Sequence, residues 1–565
     1  MAAVRWVPAP IPPAASDLAR EGYAASLAAL LARRGVTGGE EARAFLQPSL
    51  DDLHDPLALA GMAQAVGRLS AARQRGERVA VVGDYDVDGV TGTALLLAVL
   101  RYCGFQAEAI LPHRLREGYG FQPLHVERAR GQGCSLVVTV DCGTTAGDAA
   151  RAAREAGMDV IVTDHHLPGS DLPADVVQIN PHQDGCAYPF PHLSGAGLAF
   201  KLALAVARAA DRRPDPEALL RVACLGTIAD LVPLAGENRV IAALGLAALP
   251  STPSPGLRAL LARAGVKAPL SASDVGYRLG PRINAAGRLD DAGKALDLLL
   301  TRDPDEADRL AGALERWNQE RQSEEQRVVR EARARVSERE SLPPILVAWD
   351  EGWHRGVVGI AAGRLARDFF RPAVLLAVEG DEAVGSGRSI PAIGLHDFLG
   401  RWNDDMLRFG GHAQAVGLSV TVDRLEALRR SWEESAAAWP EETFVKTFEF
   451  ELDLAPVDLD GALLEQLSRL EPHGQGNPRP LLKVGPLRLA GTPRIFGRGD
   501  RRHLSGVALG PDAARVPLIG WGWGDRTEAL AGAFEALGHL ELDRYTGRPV
   551  LRLVDSRAAR RRASG

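Results

Sequence analysis

The chain has 565 residues, 46% hydrophobic and 24% charged, with a net charge of −6; this exceeds what one hydrophobic core supports, so several domains are expected. No apolar run reaches membrane-spanning length, and the opening "MAAVRWVPAPIPPAAS" lacks the basic-then-apolar order of a secretory signal, which points to a cytoplasmic protein without membrane association. Cys103, Cys134, Cys142, Cys186 and Cys224 are odd in number, far apart and without a C-x-x-C pair, which argues against a disulfide frame or thiolate zinc site and for reduced, packed thiols.

A Pro-rich start and an Ala-rich helical stretch form an N-terminal extension over 1–45. From there to about 302, the short β-branched runs "RVAVVG", "SLVVTV", "DVIVTD" and "DVVQIN" alternate with Ala-rich amphipathic segments such as "TAGDAARAAREAGM". That alternation predicts an α/β domain with a doubly wound, mostly parallel sheet. Ligands of such sheets sit outside the carboxyl ends of the strands. This places "DYDVDG", "DCGTT" and "DHH" along one rim.

Residues 303–340 are strongly charged and nearly free of Gly and Pro, with Leu310, Leu314 and Trp317 at helical spacing, so they predict one long linking helix. A smaller α/β domain follows over 341–440, with "PPILVAWD", "RGVVGIAAGRLA" and "PAVLLAV" as its elements. The last domain, 441–565, has short alternating strands after "EPHGQGNPRP", including "VPLIGWGW" and "RPVLRLVD", which predict a small β-barrel. Strand alternation would put Trp521 and Trp523 on one face, as core or as platform. From Gly474 onward 16 Lys and Arg stand against 8 Asp and Glu, so this stretch carries +8 and the remainder −14. A basic module on an acidic body suits nucleic-acid binding, although a solvated surface would read the same way.

The chemistry concentrates on the first rim. Asp84, Asp86 and Asp88 crowd one turn, and Asp141, Asp164, His165, His166 and Asp230 recur at later strand or helix ends. Like charges so close resist joint ionisation unless a cation, a helix N-terminus or full solvation compensates them. Hard oxygen donors with one or two imidazoles suit Mn²⁺ or Mg²⁺, and two ions would neutralise the cluster and activate a water for in-line attack on phosphorus.

In this order, "DYDVDG", "DCGTT", "DHH" and "ADLVPL" resemble the successive motifs of the DHH phosphoesterase superfamily, and "RGVVGIAAGRL", "GSGRS" and "GGHAQAVG" resemble its DHHA1 partner domain. With the linking helix and a closing barrel that resembles an OB fold, residues from about 40 to 556 are similar to the single-strand-specific 5′-to-3′ exonucleases of that superfamily. Two positions depart from the pattern. His473 stands where an aromatic such as Phe is expected in "PxGxGNP", and Val416 replaces a small residue in "GGHAxAxG".

The resemblance implies that Asp88, Asp141, His165 and Asp230 hold one ion, and that Asp86 and the bridging Asp141 hold the second, with Asp84 a weaker or outer ligand. It gives His166 a contact to the scissile phosphate or a role in orienting the nucleophile, and lets Asp164 fix a histidine tautomer. His113 and Arg114 in "LPHRLREGYG" are read as substrate contacts, against a plain loop pair. Arg282, Asn284 and Arg288 in "GPRINAAGR" offer phosphate-binding forks beside small residues. Ser386, Arg388 and Ser389 in "GSGRS" are assigned the 5′-phosphate pocket, and His412 joins them, with a structural role at a domain interface as its competitor.

On the barrel, Arg494, Phe496, Arg498, Arg501, Arg502 and Tyr545 are the candidate groove and stacking residues. The implied substrate is single-stranded DNA with a 5′-phosphate end. Implied partners are a single-strand-binding protein and a recombination helicase, with the chain itself a monomer. The alternatives are a phosphodiesterase for short oligonucleotides or cyclic dinucleotides, and an inactive single-strand-binding replication scaffold.

Overall fold

The computed structural model describes residues 3–114, 116–169, 172–173, 175–497, 502–543 and 546–559. Strand β1 (Val4–Pro8) and three short helices, Ala14–Arg20, Ala25–Arg33 and Gly39–Leu46, open the chain. Leu18, Leu27, Leu30, Leu31 and Phe45 from this segment are buried, in a core described below.

The first sheet has the order β3-β2-β4-β5-β6, all parallel, built from β2 (Arg78–Gly83), β3 (Gln106–Ile110), β4 (Cys134–Val140), β5 (Asp159–Thr163) and β6 (Val177–Ile179). Successive side chains of a strand point to opposite faces, and each face here has its own core. Val79, Val81, Leu136 and Val138 pack with the helices Val87–Tyr102 and Gly195–Ala209. Ala80, Val82, Val137, Val160 and Val162 pack on the other face with Pro123–Gly131 and Gly147–Glu155. Helices on both faces explain why the strands read as continuous apolar runs rather than alternating ones.

The helix Pro304–Ser337 begins at Asp303, whose side chain accepts from the backbone N–H groups of Asp305 and Glu306. Its first half places Ala307, Leu310, Ala311 and Leu314 in the first domain's core, and its second half places Val328, Val329, Ala332 and Val336 in the next domain's. At about 1.5 Å per residue it spans roughly 50 Å, so one rigid element sets the spacing of two domains.

The second sheet is mixed, in the order β10-β11-β9-β8-β7, from β7 (Leu346–Asp350), β8 (Ala373–Glu379), β9 (Glu382–Arg388), β10 (Arg408–His412) and β11 (Ala415–Thr421). The helix Arg355–Phe369 covers one face and Leu425–Ala436 the other. Val416 on β11 faces Gly387 on β9; a Cβ at Gly387 would come within 2.7 Å of the Val416 side chain, so the larger residue is accommodated by the glycine opposite.

Strand β12 (Lys446–Phe450) pairs in parallel with β1, and Trp6 Nε1 donates to Asp555 at 2.8 Å. Strands β13 (Leu452–Leu454), β14 (Leu482–Leu489), β15 (Arg494–Phe496), β16 (His503–Leu509), β17 (Arg515–Gly520), β18 (Phe534–Leu542) and β19 (Pro549–Ala558) form the last sheet. Within it β14, β18, β19, β17 and β16 close into a ring through a β14–β16 pairing. The N-terminal helices share this ring's core, their leucines packing in one cluster with Leu463, Leu467, Leu482, Val484 and Phe534.

Candidate active site

The carboxyl ends of β2, β4 and β5 deliver Asp84, Asp141 and the Asp164–His165–His166 triplet, and Asp230 closes the group as the C-cap of the helix Pro216–Ala229. Asp86 is the N-cap of the helix Val87–Tyr102, its Oδ1 accepting from Asp88 and Gly89 N–H at 2.9 and 3.1 Å. Asp88, inside that helix's first turn, is fully buried and receives the N–H groups of Gly195 and Ala196 at 2.6 and 2.9 Å. The helix beginning at Gly195 therefore presents its positive end to Asp88. Gly195 is required there, since a Cβ would stand 2.5 Å from the Cβ of Asp141. Asp141 holds a left-handed backbone, φ 63°, a conformation Asp tolerates better than most residues.

Three sets of donor atoms lie within 4.8 Å of one another: Asp141, His165 and His166; Asp88, His165 and Asp230; and Asp84, Asp86 and Asp141. Burial first, and then the charge of Asp86, raises Asp84 to about 8 and Asp88 to about 7. Burial and the neighbouring Asp88 and Asp86 raise Asp230 to about 8, and burial with four surrounding carboxylates pushes Asp141 well up. Burial holds His165 down at about 4, with the charge of His166 adding to it, so its imidazole is neutral and ready to ligate.

Asp84 Oδ1, Asp141 Oδ1 and His165 Nε2 are buried without a hydrogen-bond partner. Such orphaned atoms carry a desolvation cost that a cation removes. A donor set of carboxylate oxygens with imidazole nitrogen fits hard divalent ions of the Mn²⁺ and Mg²⁺ class.

Asp164 stands apart from these ligands. Its Oδ1 accepts from the backbone N–H groups of His165 and His166 at 2.8 and 3.1 Å and lies 2.8 Å from His166 Nδ1, while Oδ2 accepts from Thr144 N–H. Burial would depress His166, but the Asp164 hydrogen bond and charge outweigh it and raise the imidazole to about 9. Tyr119 Oη lies 3.3 Å from His166 Nδ1. Tyr119 sits in the quoted "LPHRLREGYG" and Tyr85 in "DYDVDG"; sequence reading weighed only the charged members of both stretches.

Beside the rim lies a cationic cradle. Arg114 stacks over Tyr85 at 4.7 Å, and Arg288 Nη1 donates to Gly356 O at 3.0 Å. Burial, with the charges of Arg114, Arg321 and Arg388, pulls Arg288 down to about 9, and burial with Arg114 lowers Arg388. Ser386 and Arg388 point at the first turns of the helix Arg355–Phe369: a Cβ on Gly359 would come 3.1 Å from Ser386 Oγ and 3.3 Å from Arg388 Nη2. Cations held together, desolvated and next to a helix N-terminus form a site for an anion.

The other expected phosphate contacts are placed differently. Arg282 is drawn to Glu315 at 2.5 Å and to Arg278 O, and Ser389 Oγ donates to Ile393 O. Asn284 is half-buried on the same helix as Arg288, His412 is exposed at the end of edge strand β10, and His113 Nδ1 is buried without a partner.

On the C-terminal ring Phe496, His503 and Trp521 form an edge-to-face group, with centroids 4.9 to 5.9 Å apart. Trp521 is 52% exposed whereas Trp523 is buried. The shared face expected for the two is thus corrected: β17 ends at Gly520, and Gly522 at φ 75° turns the chain between them. Arg494 is exposed on β15, and Arg502 pairs with Asp525. Arg498, Arg501 and Tyr545 lie outside the described residues.

A doubly wound sheet whose strand ends carry a buried acid–histidine cluster, beside a cradle that joins Arg114 and Arg288 of that domain to Arg388 of a second α/β domain, defines a two-domain DHH-type phosphoesterase. Family profiles agree: residues 78–227 match the DHH family N-terminal domain, 342–438 the DHHA1 domain and 450–555 the RecJ OB domain. Curated relatives named single-stranded-DNA-specific exonuclease RecJ include that of Bacillus subtilis, 34% identical over 94% of this chain and 67% of its own, and that of Escherichia coli, 37% identical over 86% and 89%. The crystal structure of Thermus thermophilus RecJ with Mn²⁺ superposes with a TM-score of 0.83 at 32% identity, covering 99% of this chain and 80% of that one. The chain belongs to the RecJ family.

Proposed function

We propose that the chain is a metal-dependent exonuclease that degrades single-stranded DNA from its 5′ end and releases 5′-mononucleotides. The observation that carries this reading is the juxtaposition of the orphaned donor cluster with the Arg114, Arg288 and Arg388 cradle, linked by the Arg114–Tyr85 stack. Asp88, Asp141, His165 and Asp230 would hold one divalent ion, and Asp84, Asp86 and Asp141 the second. Such a pair supplies a water of lowered pKa and neutralises charge developing on the phosphoryl oxygens. His166, kept protonated by Asp164, donates to a non-bridging oxygen of the scissile phosphate. Arg288, Arg388 and Ser386 bind the terminal 5′-phosphate and so fix the polarity of digestion. Phe496, His503 and Trp521 offer faces and edges to bases further along the strand.

Among the described residues none favours a dinucleotide substrate or an inactive scaffold: the ring provides surface for a long polymer, and the acids and histidines of the cluster are in place. A cytoplasmic, monomeric chain recruited by a single-strand-binding protein and a recombination helicase completes the reading. The test is digestion of single strands labelled at either end, with Mn²⁺, with Mg²⁺ and with EDTA, beside a blunt duplex. Early release of the 5′ label as a mononucleotide, only with metal and only from the single strand, is expected; early release of the 3′ label would reverse the polarity.

A further inference from the structure

We infer that the turn Pro472–Pro478, which leads into the C-terminal ring, is a positioning element for Asp230. The inference rests on the reading of Asp230 as a metal ligand. Three residues, Leu231 to Pro233, separate Asp230 from Leu234, and that short segment is gripped from two sides.

From the ring side, Leu234 N–H donates to Gln475 O at 2.7 Å. Gly474 and Gly476 let the turn close down: a Cβ on Gly474 would stand 2.6 Å from Leu234 Cδ1, and one on Gly476, at φ 71°, 3.1 Å from Pro233 Cβ. From the catalytic domain, Asn238 Nδ2 donates to Pro233 O at 3.1 Å. Between ligand and clamp, Leu231 holds a left-handed backbone, φ 63°, with its side chain 70% exposed. A leucine keeps that conformation only where both flanks are fixed. Here one flank is the end of the helix Pro216–Ala229 and the other is the Gln475 contact.

The turn is itself locked. Buried Asn477 donates to Leu470 O and Pro472 O at 2.7 and 2.8 Å and accepts from Arg34 Nε at 2.6 Å. Buried Arg239 reaches from the catalytic domain to Phe45 O, Leu470 O and Glu471 O at 2.6 to 3.1 Å, with its guanidinium over the Phe45 ring. His473 is half-buried in the same junction, kept neutral by burial and by the charges of Arg479, Arg34 and Arg239. The N-terminal segment, the ring and the metal rim therefore meet in one hydrogen-bonded joint, and the ring's seating is transmitted to a ligand of the cluster.

Binding linkage makes this reciprocal: if the clamp orders Asp230, an ion on Asp230 must order the clamp. In DNA-free full-length protein, hydrogen exchange at the Leu234 amide should slow at least threefold when Mn²⁺ is added. In the Gly474→Ala/Gly476→Ala double variant, Mn²⁺ affinity, read from the free-ion electron paramagnetic resonance signal without DNA, should weaken at least threefold while affinity for a long single strand in EDTA changes less than twofold. Asp230→Asn separates the two layers: if it leaves Mn²⁺ affinity intact, the ligand reading itself fails. If Asp230→Asn weakens Mn²⁺ binding but exchange at Leu234 ignores the metal, the positioning role is overturned. The exchange measurement uses the wild-type chain, so a double variant that fails to fold leaves the inference open to refutation.

Discussion

Asp141 Oδ1 and His165 Nε2 stand 3.1 Å apart, both buried and neither in a hydrogen bond. Two acceptors aimed at shared space are held there by the rest of the fold: His165 by the end of β5, Asp141 by its left-handed backbone and the close approach of Gly195. Asp141→Asn preserves that backbone preference while removing the charge shared by two of the three donor sets. It should lower cleavage by more than the roughly 10- to 100-fold that outer partners of a metal site contribute, with single-strand affinity in EDTA kept. Near-normal turnover of a labelled strand would take Asp141 out of the centre.

Metal removal should make stability depend on pH in a set direction. Asp84 and Asp230 at about 8 and Asp88 at about 7 keep protons in the folded chain that the unfolded chain has already released. Folding stability in EDTA is therefore lost as pH rises from about 4 through 8. Thermal unfolding should show the midpoint falling across that window, and added Mn²⁺ should restore more of it at pH 8 than at pH 6. A midpoint that rises over the same window would contradict the crowded-acid account.

The cradle predicts end discrimination. Arg388→Ala removes a desolvated guanidinium beside Arg114 and Arg288. A charge-assisted hydrogen bond is worth roughly 1.5–3 kcal/mol, so the preference for 5′-phosphorylated over 5′-hydroxyl strands should shrink by about 10- to 100-fold in kcat/KM. Arg282→Ala, already committed to Glu315, should leave that ratio unchanged. Equal effects from both would move the pocket.

Trp521 is the exposed member of its aromatic group. Trp521→Ala should weaken binding of a strand long enough to reach the ring by roughly 1–3 kcal/mol, the range of base–aromatic stacking, and leave turnover of a very short strand unaffected. Titration by fluorescence anisotropy with long and short strands distinguishes this from a general folding defect.

The shared core makes a specific statement about truncation. Removing 441–565 alone would expose Leu18, Leu27, Leu30 and Leu31, which pack with the ring. That truncation should aggregate, whereas a chain of 47–440 should remain soluble, a difference that size-exclusion chromatography reports. Two equally soluble products would mean the N-terminal helices need no partner.

Asp84, Asp141, Asp164, His165 and His166 were legible because each follows a β-branched run, and a parallel strand delivers the next residues to its carboxyl end whatever surrounds it, whereas Asp230 follows a helix. The long helix was equally legible: Leu310 and Leu314 follow local periodicity, and Asp303 is a cap that needs only its own turn. By itself, then, the sequence determined the α/β alternation through β2, β4, β5 and β6, the rim on which the carboxylates gather and the hard-metal character of their donors, but not β1 or the edge strand β3, whose short "QAEAI" carries one β-branched residue. Tertiary structure alone decided which arginines join the cradle, since Arg282 and Arg288 lie on one helix but Arg282 is taken by Glu315 while Arg288 reaches Gly356 O. It likewise separated Trp521 from Trp523 through one left-handed glycine, and seated the N-terminal helices on a ring more than 400 residues away. Periodicity is a property of neighbours along the chain, whereas the partner a long side chain finds, and the desolvation that sets its charge, depend on segments that only folding brings together.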